Sequence, residues 1–331
     1  MTADEQQQTT DENDARVSAA GQIEYWGRQS VDVDGMLGGY GHLSRVDIQF
    51  SRNFLAKLRR LYPPVSSARS RGDGGSGSNK ESSSSSSASL STGDSSTGTG
   101  TGTSPTKSPT KYVFRSCLET GAGIGRVTLN LLASQCETID VVEPVEKFTA
   151  RLTAPDAPLV KSGQLRRVYN LPLQNWTPES LPSWENSTPP PPTTNGEPPI
   201  IEHGSEGARP GRYDLVWNQW CLDFLSSHEL VRYFRSLIPL LAAPDGWIIV
   251  KQNVSTAGDK GDQDTFWEDE CSVTRSDRHL RALFEQAGLV LVQTLRQTGF
   301  PERLLPVRMY ALRPAAWAGR AGGGRSEGVK G

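Results

Sequence analysis

The sequence has few cysteines and no excess of charge of either sign. Its 331 residues include 4 cysteines, none in CxxC spacing, which favours a reducing compartment and free thiols over a disulfide or zinc framework. The 35 Lys and Arg residues against 37 Asp and Glu residues give a formal net charge of −2, so no global basic field indicates nucleic acid. We therefore expect no metal site and no nucleic-acid partner.

Long apolar runs and targeting signals are also missing. No stretch approaches the roughly 20 apolar residues that a membrane span requires. The N-terminus, MTADEQQQTTDENDAR, lacks the apolar core of a signal peptide and the Arg-rich, acid-poor character of a transit peptide. We therefore expect a cytoplasmic protein without a membrane partner, with an additional nuclear pool as the alternative.

Serine, glycine and proline are abundant, and they are concentrated in separate segments. Residues 65–110 contain GDGGSGSNKESSSSSSASLSTGD, and residues 183–211 contain STPPPPTTNGEPP. Such compositions bury too little apolar surface to offset the entropy of ordering, so we predict a low-complexity insert and a Pro-rich loop. Residues 1–20 and 315–331 are predicted to be disordered tails. The rest, residues 22–313, is predicted to form a single domain around these interruptions.

Strand-like and helix-like segments alternate through that domain. KYVFRSCLE, TIDVVE, YDLVWNQW and GWIIVKQN are typical of buried strands, and LVLVQTLRQ and PVRMYALRP of two final strands. Helices are predicted after GAGIG, over SSHELVRYFRSLIPLL with Ser226 or Ser227 as N-cap, and over SDRHLRALFEQAG with Ser276 as N-cap. Pro239 should disturb the last turn of the second helix. The alternation predicts an α/β sheet covered on both faces.

The stretch CLETGAGIGRVTL joins the first strand to the first of these helices. Gly121, Gly123 and Gly125 leave a bare backbone that a ligand can approach, next to the free N–H groups of a helix start. Glu143 follows the second strand, where a carboxylate can accept both hydroxyl hydrogens of a ribose. The spacing is GxGxG and not GxGxxG, because Arg126 occupies the last position. A nucleotide-like ligand is predicted, with a plain tight turn as the alternative.

This pattern resembles the seven-stranded class I fold of S-adenosylmethionine-dependent methyltransferases, a Rossmann-like, mostly parallel sheet that ends in an antiparallel hairpin. DGMLGGYGH, together with LETGAGIGR, LQNWTPE, YDLVWNQW, IIVKQN and CSVTR, is similar to the protein α-N-terminal methyltransferases. The resemblance covers about residues 24–62, 112–178 and 212–313, omits both inserts and implies an N-terminal helical extension. DGMLGGYGH is its most specific element, since many unrelated methyltransferases share the glycine loop.

The resemblance implies an activity, a cofactor and a set of site residues. Members of that family transfer methyl groups from S-adenosylmethionine to the α-amine of proteins that begin X-Pro-Lys or X-Pro-Arg after methionine removal, ribosomal proteins being an example. The implied cofactor contacts are Gly121, Gly123, Arg126, Glu143, Pro144, Val145, Leu173, Gln174, Gln219 and Trp26. The implied substrate contacts are Leu37, Gly38, Trp220, Asn253 and Ser272, with Met36 at the entrance. The implied catalytic residues are Glu270, Asp269, Asn253 and Asp223. We expect a monomer.

The sequence departs from that family at three positions. Glu270 stands where the family has an aspartate before SVxR, Phe224 where it has a histidine, and Trp267 where it has an acidic residue. Asp223 or His228 could replace the histidine as proton acceptor, although His228 is better explained as a surface residue of a helix. These departures leave open a same-fold methyltransferase with another amine or peptide acceptor, or a cofactor-binding pseudo-enzyme.

Overall fold

The computed structural model describes residues 3–64, 113–188, 213–258 and 262–317. The insert predicted over residues 65–110, most of the Pro-rich loop and most of the C-terminal tail lie outside the described residues. Within the described ranges, no helix is both long and apolar enough to cross a membrane.

Among the described residues, four α-helices precede the first strand: α1 Ala3–Arg16, α2 Ala19–Arg28, α3 Val33–Met36 and α4 Ser44–Leu61. The presence of α1 differs from the disordered tail predicted over residues 1–20. Asp14 accepts a hydrogen bond from the backbone N–H of Ser227 at 2.8 Å and pairs with the buried Arg275 at 3.3 Å. Because α1 is polar all round, its docking depends on such charged contacts, which composition alone does not reveal.

The described part of the chain contains ten strands: β1 Phe114–Thr120, β2 Cys136–Val142, β3 Leu165–Tyr169, β4 Trp184–Glu185, β5 Leu215–Gln219, β6 Trp247–Asn253, β7 Thr265–Trp267, β8 Ser272–Thr274, β9 Leu289–Arg296 and β10 Val307–Pro314. Eight of them form one sheet in the order β4-β3-β2-β1-β5-β6-β10-β9, and β7 pairs with β8 separately. The strands β1, β2, β3, β5 and β6 run parallel, whereas β10 is antiparallel to both β6 and β9. The predicted fold, with its C-terminal antiparallel hairpin, is confirmed.

The short strand β4 adds an eighth member to the predicted seven. It falls in residues 183–211, for which the sequence analysis predicts a loop, and it pairs antiparallel with β3. The Trp184 side chain is half-buried and packs against the core, which explains why the chain follows the sheet edge here before the Pro-rich residues.

Helices cover both faces of the sheet. The helices after α4 are α5 Arg126–Asn130, α6 Glu146–Thr149, α7 Pro158–Lys161, α8 Ser227–Leu237 and α9 Asp277–Gln286. Phe234 of α8 and Phe284 of α9 are buried against one face. Phe54 of α4, Val127 of α5 and Leu159 of α7 are buried against the other. This two-sided packing is the arrangement predicted from the alternation of strands and helices.

Side-chain caps define where α8 and α9 begin. Ser226 is the N-cap of α8: its Oγ accepts from the N–H of Glu229 at 3.3 Å, while Glu229 Oε2 accepts from the Ser226 N–H at 2.9 Å. Ser227 is therefore the first helical residue and not the cap. Ser276 caps α9, and Pro239 lies in the 3-10 turn after α8, both as predicted.

Candidate active site

A pocket opens at the carboxyl ends of β1, β2, β3 and β5, beneath α2 and α3. Its empty volume, with the open solvent at its mouth included, is about 930 Å³. Open α/β sheets bind ligands at this edge. The lining residues are Gln22, Ile23, Trp26, Met36, Glu119, Gly121, Ala122, Gly123, Arg126, Val127, Glu143, Pro144, Phe148, Pro172, Leu173, Gln174, Gln219, Trp220, Cys221 and Phe224.

The glycine loop has a packing role besides facing the pocket. Gly121 follows β1 with a φ of +67°, and a Cβ atom there would lie 2.3 Å from the Cβ of Cys221. Thr120 and Asn218 join the same two strand ends through a hydrogen bond of 2.8 Å between Oγ1 and Oδ1. Gly121 is therefore required for the close approach of the two loops that follow β1 and β5.

Glu143 lies directly after β2 and is fixed by main-chain donors. Its Oε2 accepts from the N–H of Gly123 at 2.7 Å, and its Oε1 accepts from the N–H of Val145 at 2.9 Å. Burial raises the pKa of Glu143 to about 7, and the two backbone hydrogen bonds oppose that rise. Each oxygen keeps a further lone pair, so the carboxylate can also accept hydroxyl hydrogens from a ligand.

Arg126 is held by a buried carboxylate from the N-terminal helices. Its Nη1 donates to Asp47 Oδ2 at 2.7 Å, and Gln219 Nε2 donates to the same oxygen at 2.9 Å. Lys251 Nζ pairs with Asp47 Oδ1. Burial acts to raise the pKa of Asp47, but the positive charges of Lys251 and Arg126 lower it overall. Asp47 is thus an ionised contact of two predicted cofactor residues.

Hydrogen bonds hold α2 over the pocket at both ends. Gln22 donates from Nε2 to the carbonyl oxygens of Phe224 at 3.1 Å and Cys271 at 3.0 Å. Lys147 donates from Nζ to the carbonyl oxygen of Gly27 at 2.6 Å. The helix is therefore attached both to the loop after β5 and to the helix that follows Glu143.

Two indole rings line the pocket with unpaired donors. The Nε1 atoms of Trp26 and Trp220 are buried and have no hydrogen-bond partner among the described residues. Trp220 also has a φ of +53°, a left-handed conformation that is rare for a bulky side chain. Such strained backbone positions cluster at ligand sites, and a buried unpaired donor needs an explanation. Both observations indicate that this pocket is built for a ligand.

The predicted catalytic residue Glu270 lies just before β8. Its Oε2 accepts a hydrogen bond from Ser272 Oγ at 3.3 Å, and Tyr25 of α2 lies near the carboxylate. Burial raises the pKa of Glu270 above its ordinary value. Asp269, beside it, is exposed.

The structure also gives the positions of the other residues at which the sequence departs from the family, and of the two candidates to replace the family histidine. Asp223 is buried, accepts from Thr274 Oγ1 at 3.2 Å through Oδ2 and has no partner for Oδ1 among the residues described. Burial raises the pKa of Asp223 to about 7. Phe224 lines the pocket, whereas His228 is exposed on α8, as expected. Trp267 is half-exposed, and its Nε1 donates to Thr274 Oγ1 at 3.0 Å.

The structure brings most of the predicted cofactor residues to the one pocket. Those that line it are Trp26, Gly121, Gly123, Arg126, Glu143, Pro144, Leu173, Gln174 and Gln219, together with Trp220 and Met36. Val145 is the predicted cofactor residue that does not line it, and the predicted substrate or catalytic residues outside the lining are Leu37, Gly38, Asn253, Asp223, Asp269, Glu270 and Ser272. Val145 contributes the N–H that binds Glu143. The ligand and catalytic roles of all these residues stay predictions.

Other lining residues received no role from the sequence. They are Gln22, Ile23, Glu119, Ala122, Val127, Phe148, Pro172 and Cys221. The apolar spacing of Ile23 and Trp26, one helical turn apart, could have marked the face of α2 that turns inward. Glu119 precedes the glycines; Thr128 Oγ1 donates to it at 2.5 Å, and burial raises its pKa to about 8.

A sequence model of the family described as AdoMet-dependent proline di-methyltransferase matches residues 14–82, 103–186 and 200–313. These segments contain every residue that lines the pocket. The two gaps, residues 83–102 and 187–199, fall inside the predicted insert and the predicted Pro-rich loop.

Individual relatives are similar over nearly their whole length. The chain is 31% identical over 296 residues to alpha N-terminal protein methyltransferase 1 of Schizosaccharomyces pombe, which covers 88% of this chain and 94% of the relative. It is 28% identical over 292 residues to N-terminal Xaa-Pro-Lys N-methyltransferase 1 of Mus musculus, which covers 87% and 92%. A solved SAM-dependent methyltransferase of Leishmania major superposes with a TM-score of 0.57 at 25% identity, over 89% of this chain and 82% of the other.

Proposed function

The chain belongs to the family of AdoMet-dependent proline di-methyltransferases, and from that premise we propose that it methylates the α-amino nitrogen of proteins beginning Xaa-Pro-Lys or Xaa-Pro-Arg. The observation that carries the proposal is that the family match includes every residue lining the pocket. An enzyme of the same fold with an unrelated acceptor would have a similar cofactor end of the pocket. It would not be expected to match the family model through the N-terminal helices as well, as this chain does.

The pocket fits S-adenosylmethionine, the cofactor of the family. Glu143 offers acceptor lone pairs for the ribose hydroxyls, and Arg126 offers a cation for the carboxylate of the amino-acid end. Leu173 and Gln174 border the adenine in this assignment. The unpaired Nε1 atoms of Trp26 and Trp220 are further donors for groups that enter the pocket.

The cofactor supplies an activated methyl group on a sulfonium. The substrate must present a neutral amine, and an unperturbed α-amine has a pKa of about 7.7–8.0, so much of it is protonated at neutral pH. The site must therefore hold the amine in line with its target and take up its proton.

We assign the proton acceptor to Glu270. The hydrogen bond from Ser272 Oγ orients the carboxylate, and a pKa raised by burial makes it a stronger base. Asp223 is the rival acceptor, because its pKa lies at about 7 and its Oδ1 has no described partner. Asn253, at the end of β6, is assigned to positioning the amine.

The substrate is assigned to the mouth of the pocket. Leu37, Gly38, Trp220 and Ser272 are the contacts proposed for the N-terminal peptide. The substrate class includes ribosomal proteins that begin with the Xaa-Pro-Lys motif, and the enzyme is proposed to act as a monomer in the cytoplasm.

The function can be tested by incubating the protein with S-adenosylmethionine labelled in its methyl group and with short peptides, and measuring transfer of the label to each peptide. An Xaa-Pro-Lys peptide should become labelled, whereas the same peptide with an acetylated α-amine should not, because its nitrogen lone pair is no longer available. Replacement of the proline by alanine should reduce labelling strongly. Binding of the cofactor without transfer to any of these peptides would indicate a pseudo-enzyme, and labelling of the acetylated peptide would indicate another acceptor.

A further inference from the structure

Four polar side chains from four separate elements meet behind the pocket. They are Asp47 of α4, Arg126 of α5, Gln219 of β5 and Lys251 of β6, and each is 6% exposed or less. Arg126 and Gln219 both donate to one oxygen of Asp47, and Lys251 pairs with the other. Lys251 also donates to Ser51 Oγ at 2.9 Å. We call these four side chains the Asp47 cluster.

The Asp47 cluster has an inner and an outer half. Arg126 and Gln219 line the pocket, whereas Asp47 and Lys251 do not. The hydrogen bonds described for the Arg126 guanidinium all use Nη1, toward Asp47 and Ser44. Its Nε and Nη2 remain for a ligand, and a guanidinium edge of this kind suits the two oxygens of a carboxylate.

The charges of the cluster do not cancel. Arg126 and Lys251 are two cations for the single anion Asp47, in an interior where an uncompensated charge is costly. Glu119, an acidic group of the pocket lining, does not supply the missing charge, because burial raises its pKa to about 8 and favours the protonated form at neutral pH. One ligand anion next to Arg126 would complete the balance.

We propose that Asp47 and Lys251 are positioning residues for the carboxylate of S-adenosylmethionine: Asp47 fixes the Arg126 guanidinium and the Gln219 amide, and Lys251 offsets the charge of Asp47 so that Arg126 keeps its attraction for the ligand. The inference rests on the cofactor assignment of the proposed function. It makes the N-terminal helix α4 part of the cofactor site, although no residue of α4 lines the pocket.

The direction of each mutational effect follows from these roles. Asp47→Asn removes the anchor of Arg126, and Lys251 then loses the partner that keeps it charged, since burial already lowers the Lys251 pKa to about 8. The net charge beside the ligand therefore changes little. The variant loses affinity because the Arg126 guanidinium is no longer held in place. Lys251→Met leaves Asp47 to neutralise Arg126 alone. Both variants should bind a carboxylate ligand less well.

Calorimetry with two ligands tests the proposal. S-adenosylhomocysteine carries the amino-acid end, whereas 5′-methylthioadenosine has the same nucleoside and sulfur without it. Asp47→Asn and Lys251→Met should each raise the Kd of S-adenosylhomocysteine roughly tenfold or more, the scale of losing a charged hydrogen bond. The Kd of methylthioadenosine should change less than about threefold, because only shared groups bind it.

Asp140→Asn is the matched control. Asp140 is another buried aspartate, bonded to Tyr213 at 2.6 Å away from the pocket lining, so its loss should lower stability without changing the ratio of the two Kd values. Thermal melts identify any variant that does not fold. If either Asp47→Asn or Lys251→Met does not fold, the ratio of the two Kd values is measured on the other variant. An equal loss for both ligands, no change, or tighter binding of S-adenosylhomocysteine would overturn the proposal. Wild-type protein that does not bind S-adenosylhomocysteine would instead contradict the proposed function.

Discussion

At the scale of single residues, the pocket depends on carboxyl groups whose positions are fixed by other parts of the protein. Glu143 is held by two backbone N–H groups, Asp47 by two cations, and Glu270 by Ser272. Each can therefore be tested by a substitution that removes charge while changing size little. The outcomes differ, because the three groups face different partners.

Glu143→Gln should weaken binding of S-adenosylhomocysteine while leaving the fold intact. The amide keeps one acceptor oxygen but loses the charge and one pair of acceptor sites, a change worth roughly 1–3 kcal/mol for a charged hydrogen bond. Isothermal calorimetry would show a Kd raised by about 5–150-fold. The exposed Glu146→Gln, three residues on, is the control that should bind normally. Unchanged affinity in Glu143→Gln would remove this residue from the cofactor site.

Glu270→Gln should lower turnover by roughly 10²–10⁴, the usual range for a lost general base, with the cofactor Kd nearly unchanged. Higher pH should partly restore the rate, because more of the α-amine is then neutral without assistance. Single-turnover methylation of an Xaa-Pro-Lys peptide from pH 7 to 9 measures both effects.

Two companion variants decide between the carboxyls. Asp269→Asn should be nearly normal, because that side chain is exposed. If Asp223→Asn loses activity while Glu270→Gln keeps it, the proton goes to Asp223. If all three variants stay active, the proton goes to solvent.

The sequence alone could predict the glycine loop, Glu143 and Gln219 as site residues, because each follows or ends a recognisable strand at a position that such sheets use for ligands. It could not predict Asp47. Asp47 lies 79 residues before Arg126, beyond a low-complexity insert, and nothing local to α4 marks one buried acid among its exposed basic residues. Contacts of this sequence separation appear only when the fold is known.

At the scale of elements, the sequence predicts a helix or strand correctly where the residues that begin or end it lie within the segment itself. An N-cap serine and an apolar stripe predict each of the helices α8 and α9. The strand β3, LRRVY, lacks such a signal, since Arg166 and Arg167 interrupt its apolar residues. The helix α1 is polar all round, and it was missed because its fixed position comes from Asp14 and Arg275.

The capping box of α8 gives a prediction at this scale. Ser226→Ala removes the acceptor for the Glu229 N–H, and loss of an N-cap hydroxyl typically costs about 0.5–2 kcal/mol. Denaturant unfolding should show that loss. Ser227→Ala is the matched control, because the buried Ser227 hydroxyl has no partner among the described residues, and it should cost less. Equal losses in the two variants would show that the box does not stabilise the helix start.

At the scale of the whole molecule, stability without ligand should fall as pH rises from 5 to 7.5. Burial raises the pKa of Glu119 to about 8 and those of Glu143 and Asp223 to about 7. Their protonated forms are favoured by folding, whereas the unfolded chain already releases these protons near pH 4–5. The stabilisation is thus complete below the unfolded pKa and is lost as pH passes through the folded value.

Glu119→Gln provides the quantitative check. Removing one such group should make the free energy of unfolding less steep by up to about 1.4 kcal/mol per pH unit in this range. Urea unfolding at several pH values measures the slope, and Glu146→Gln should leave it as in the wild type. A wild-type stability that is flat or increases over the same range would contradict the burial of these carboxyls.

The position of β10 has a consequence for how the chain is made. This strand follows the other described strands in sequence but lies inside the sheet, between β6 and β9. In a chain that stops before residue 307, β6 has one side without a hydrogen-bonding neighbour, and β9 has none at all. Such bare edges adhere to other nascent chains. Premature stop codons before residue 307 should therefore yield aggregates and not partly active fragments.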